Sequence, residues 1–100
     1  MKPEQFIREY GVDKARDLLD QLHKLGCPDD MKITVINGMW QRTSNGFTYP
    51  ELKRLMEAVD RVNAFGGLKD AKAVVKMGKH YKYLKAHISN YESIYGGGDD

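Results

Sequence analysis

Lys69, Lys72, Lys76 and Lys79 recur at i, i+3, i+7 and i+10, one stripe along a helix of period 3.6. Lys82 and Lys85 continue the charge, with His80, Tyr81 and Tyr83 set among them. Ammonium groups so spaced can neutralise successive phosphates, and rings between them can stack on bases. The same stripe suits an acidic protein surface, and the solvated face of an ordinary amphipathic helix also looks like this. No arginine occurs between Lys69 and Lys85, and arginine is the usual bidentate reader of guanine. The chemistry on offer to nucleic acid is attraction without base readout.

Trp40 and Arg42 form a second constellation. If they lie on a strand they share a face, being one period apart. Exposed together, a Trp and an Arg make an interface anchor. The alternative is that Trp40 covers a small core while Arg42 extends past it to water. Tyr83 and Lys82 join them as candidate protein-interface residues, because Tyr81 is claimed by an apolar seam and Tyr83 is not.

Catalytic groupings are missing. His23 and Cys27 stand at i, i+4, a spacing that can present two metal ligands, but structural zinc needs four. As nucleophile and base the pair lacks an evident orienting acid or oxyanion site. Asp29-Asp30 and Asp99-Asp100 have no partners at useful spacing, and neither Gly66-Gly67 nor Gly96–Gly98 carries the Gly-Lys-Ser/Thr ending of a phosphate loop. The expectation is a non-enzyme with no catalytic residue, metal or cofactor.

Helices must position these residues. Leu52, Leu55, Met56, Val59 and Val62 make one apolar stripe. Thr48 and Glu51 have capping-box spacing before it, and Pro50 falls in the first turn, where a missing N–H costs little. Phe65 ends the stripe at Gly66-Gly67, and Leu68, Ala71, Val74 and Val75 begin another. The corner has a shorter copy near the start. Ile7 aligns with Val62, Tyr10 with Phe65, Gly11 with Gly66, Val12 with Leu68, Ala15 with Ala71, and Leu18-Leu19 with Val74-Val75. Two copies are too few for a solenoid. A DNA-reading helix-turn-helix fits poorly: Asp13, Asp17 and Asp20 on the first copy repel phosphate, and the second copy has few side chains for base edges.

The N-terminal segments read as helices over Pro3–Tyr10 and Val12–Leu25. The middle changes period. Lys32–Ile36, Met39–Thr43 and Phe47–Tyr49 read as strands, separated by Asn37-Gly38 and Asn45-Gly46, the strongest short hairpin signal. The last helix reads from Lys79 to Tyr95, with Tyr81, Leu84, Ile88, Tyr91 and Tyr95 as an a/d-like seam too short for a coiled coil. The seam leaves self-pairing, and with it the oligomeric state, open. The expected fold is α+β: two N-terminal helices, a small antiparallel meander or hairpin, then three helices. Residues 1–95 make one domain and 96–100 a flexible Gly/Asp tail.

The 100 residues have a formal net charge of +2, distributed unevenly. Residues 1–31 carry five Lys/Arg against seven Asp/Glu, whereas residues 68–95 carry six against two. No apolar run approaches a membrane span, and the start lacks a signal-peptide core. With one cysteine no internal disulfide can form, so a cytoplasmic setting is expected.

The segments KPEQFIREYGVDKARDLLDQ, ELKRLMEAVDRVNAFGGLKDAKAVV and ISNYESIYGGGD are similar to small accessory proteins encoded in the early regions of lambdoid temperate bacteriophages and prophages. The resemblance covers about two-thirds of the chain and involves no catalytic motif. It implies a bacterial cytoplasmic setting and a role in binding, and modulating or inhibiting, a host protein. The alternative expectation is a sequence-tolerant nucleic-acid binder using Lys69, Lys72, Lys76, Lys79, Lys82 and Lys85.

Overall fold

Pro3 to Leu25 form one helical element, α1, in a computed structural model that describes residues 1–78 and 82–96. Lys79, His80, Tyr81 and the tail residues Gly97 to Asp100 lie outside the described residues. Two helices were expected where α1 stands, and the break expected between them is present as a kink; with α1 taken as one element, four helices rather than five stand among the described residues. The reason is visible at Gly11, which sits inside α1 at φ 89°, ψ 168°. A single residue there leaves one helix and starts the next. Gly67, before the later corner's second helix, has nearly the same angles, φ 117°, ψ 179°. This region of backbone space belongs almost wholly to glycine. Two of the paired positions agree in burial, Ile7 with Val62 and Ala15 with Ala71, whereas Leu18 is buried and its counterpart Val74 only half-buried.

Strands β1, Ile33–Ile36, and β2, Met39–Arg42, pair antiparallel around Asn37-Gly38. Both turn residues have positive φ, 54° and 81°, as a type I′ turn requires. The expected third strand is reduced to one bridge, and it lies on the unexpected side. Phe47 exchanges both backbone hydrogen bonds with Ile33, at 2.8 and 2.9 Å, so it joins β1 rather than β2. Gly46 permits this crossing. A Cβ there would stand 1.8 Å from the Ile33 carbonyl oxygen.

Helix α2, Tyr49–Ala64, starts with the expected capping box: Thr48 Oγ1 accepts from the Glu51 amide, and Glu51 accepts from the Thr48 amide. Pro50 sits in its first turn. The corner leads to α3, Leu68–Met77, and then α4, Lys82–Tyr95.

The buried side chains form two clusters. The first joins Phe6, Leu18 and Leu22 of α1 to Ile33, Val35, Phe47, the first turns of α2 and Ile94 of α4. Phe6 stacks on Phe47 at 5.7 Å between ring centroids, locking α1 onto the bridge. The second is smaller: Val62, Ala71, Leu84 and Ile88, ringed by half-buried Leu68, Val74 and Val75. Tyr91 packs against both. On the surface, Arg16 of α1 donates a forked pair of hydrogen bonds to the Asp60 carboxylate of α2. That contact holds the guanidinium pKa above its ordinary value. Among the described residues, no helix is long and apolar enough to cross a membrane.

Candidate interaction surfaces

The hairpin register decides which way Trp40 points. Trp40 stands opposite Val35 and Arg42 opposite Ile33, and opposed residues share a face. Val35 and Ile33 are buried, so this is the inner face. Trp40 is half-buried against the first core and borders a groove beside Tyr10, Lys14 and Asp17 of α1. Arg42 is exposed at the end of that face, near Asp30 and Met31. The two residues are therefore not on an open sheet face. The open face carries Ile36 and Met39, cross-strand partners, with Met39 72% exposed. Strand alternation carried that signal: once Trp40 is inward, Met39 is outward.

The basic stripe does not stay together. Lys72 lies between α3 and α4, only 27% exposed at its side chain, with its Nζ 3.0 Å from Glu92. It ties two helices. Lys69, Lys76, Lys82 and Lys85 are exposed and have no ion-pair partner among the described residues. Two large exposed side chains are their neighbours in sequence: Met77 after Lys76, 79% exposed, and Tyr83 after Lys82, 82% exposed. Tyr83 and Lys82 are thus on the surface as expected. Met77 escaped sequence reasoning because α3 is short and its apolar face was assigned to Leu68, Ala71, Val74 and Val75.

His23 and Cys27 line one recess with Asp29 and Tyr49, and none of these side chains hydrogen-bonds another. Among the described residues, no three His, Cys, Asp or Glu side chains gather where they could hold a metal ion. On α4, the Nδ1 atom of His87 is buried without a hydrogen-bond partner among the described residues. At the end of α4, burial first and the Tyr91 ring second push the Tyr95 phenol above its ordinary pKa.

Comparison of the chain with family models, with curated proteins and with solved structures finds no match.

Proposed function

We propose that this chain is a non-enzymatic binding protein that docks on an acidic surface of another protein through the α3–α4 region. One observation carries the reading: Met77 and Tyr83 stand out into solvent on helices whose exposed Lys69, Lys76, Lys82 and Lys85 have no ion-pair partner among the described residues. Large exposed apolar side chains among charges are the usual make-up of a contact surface, with the apolar pair as anchor and the charges as guides to encounter. In the setting that the phage resemblance implies, the partner is a bacterial host protein whose activity the docking modulates or inhibits.

The test is capture of partners from bacterial lysate by the tagged chain, with and without nuclease, beside a Tyr83→Ala/Lys82→Glu variant. A stoichiometric protein that survives nuclease and is lost from the variant supports the reading. Equal capture by the variant removes it.

The same lysines give a second reading, sequence-tolerant binding to nucleic acid, favoured by Tyr83 as an exposed ring beside Lys82 and Lys85. Its affinity falls steeply with salt, and each Lys→Ala change makes the salt slope shallower by about one. Met77 separates the readings. Met77→Ala weakens docking to a protein and leaves attraction to phosphate unchanged.

A further inference from the structure

We infer that β2 is a self-complementary edge through which two copies of this chain pair, making a continuous four-stranded antiparallel sheet. The inference uses a surface separate from α3–α4 and goes beyond the proposed function. It starts from the hydrogen-bond parity of the hairpin. The Thr43 amide donates to the Lys32 carbonyl, and Ile33 spends its own N–H and C=O on Phe47, away from β2. Ile33 and Arg42 are therefore a non-hydrogen-bonded pair, and so, two residues on, are Val35 and Trp40. Consequently the main-chain N–H and C=O of Trp40 and of Arg42 point outward, along the free edge of the sheet. No backbone bond engages them among the described residues. An open row of this kind is a template for another strand.

The row fits itself in one register better than in its neighbours. With the two-fold axis at Gln41, Trp40 opposes Arg42 of the second copy and the reverse, each pair exchanging both its main-chain bonds. All the outward groups of Trp40 and Arg42 are then satisfied. An axis at Arg42 would set like charges opposite one another, which is destabilising. An axis at Trp40 would leave Arg42 facing Gly38.

Side chains agree with the central register. Trp40 and Arg42 share the inner face, so each guanidinium comes to lie beside the indole of the other copy, an attractive cation–π pairing. The groove beside Trp40 is lined by both Asp17, a carboxylate within the indole's surroundings that can pair with an incoming guanidinium, and Lys14. Gln41, exposed on the outer face, meets its own copy at the axis. The contact is small, so the dimer is weak.

The test joins hydrodynamics to a register-specific crosslink. Sedimentation of the unaltered chain is expected to show a reversible monomer–dimer equilibrium, with the dimer populated below about 1 mM, the weak end of the affinity scale. Arg42→Glu, with folding checked by circular dichroism, raises the dimer dissociation constant tenfold or more. In a Cys27→Ser background, Gln41→Cys closes a disulfide between copies under mild oxidation. Met39→Cys does not, since its own copy lies about four strand residues away, on the order of 13 Å. A chain that stays monomeric to that concentration overturns the inference. So does a dimer indifferent to Arg42→Glu, or crosslinking at position 39 as fast as at 41.

Discussion

Helix α2 has its first turns in one core and its last in another, and the two surroundings differ in kind. Around Leu52 and Leu55, aromatic and branched side chains from every element but α3 close over one another, and Phe47, Ile33, Leu22 and Ile94 are almost fully buried. Around Val62 the buried set is Ala71, Leu84 and Ile88, with its border half open. This second region also carries four exposed lysines, and α4 a buried ring nitrogen, that have no partner among the described residues. Burial of large apolar area supplies most of the favourable folding energy, so the first core sets global stability. Regions with few buried contacts open at lower cost, and binding surfaces are drawn from them. The difference places rigidity at α1–β1–α2 and adaptability at the α3–α4 surface.

Substitutions can break or sharpen that contrast. The largest effect is expected from Phe47→Ala, which removes a ring stacked on Phe6 and costs about 3–5 kcal/mol, read as loss of the whole denaturation transition. Leu84→Ala in the smaller core costs about 2–4 kcal/mol. Its mark is uneven: hydrogen exchange quickens in α3 and α4 while α1 amides keep their protection. Equal loss throughout would show that the two cores open as one unit. Gly46→Ala forces the Phe47 bridge away from β1 and costs about 1–3 kcal/mol, as steric overpacking does. Thr48→Ala removes one arm of the capping box and lowers the unfolding free energy by about 1 kcal/mol.

The smallest effect is a pH dependence. The Tyr95 phenol keeps its proton to higher pH in the folded chain than in the unfolded one. Above the ordinary tyrosine range the unfolded state therefore loses that proton first, and stability falls as pH rises through 10 towards the folded value. Tyr95→Phe flattens this fall, which ultraviolet titration of the phenols alongside chemical denaturation measures.

Much of this was legible in the residues because local chemistry decided it. Thr48, Pro50 and Glu51 form their cap wherever the helix packs, and Asn37-Gly38 turns the chain by its own backbone preference. What sequence reading lost depended on distant groups. Asn45-Gly46 looks like a second hairpin turn, yet Gly46 is needed because the Ile33 carbonyl comes close, and the chain crosses to the other side of β1. The tyrosine seam misplaced one residue for a similar reason. Leu84 and Ile88 face the second core, but Ile94 turns into the first, and Tyr95 is left 46% exposed, its ring against Tyr91. A helix that changes neighbours along its length has no single inward stripe. On the candidate surface, Tyr83 and Lys82 followed from spacing. Lys72 did not, since its approach to Glu92 withdraws it from the stripe.

The position of Ile94 has a consequence for how the chain is made. Synthesis runs from α1 towards α4, and a side chain that completes the first core, Ile94, is supplied by α4. Until α4 has emerged, α1, the hairpin and α2 can gather but hold an unfilled isoleucine-sized gap and show apolar surface to their surroundings. The early part of the chain thus waits on the late part. A ribosome paused between the codons for α3 and α4 would display a species that chaperones recognise and the finished protein never shows.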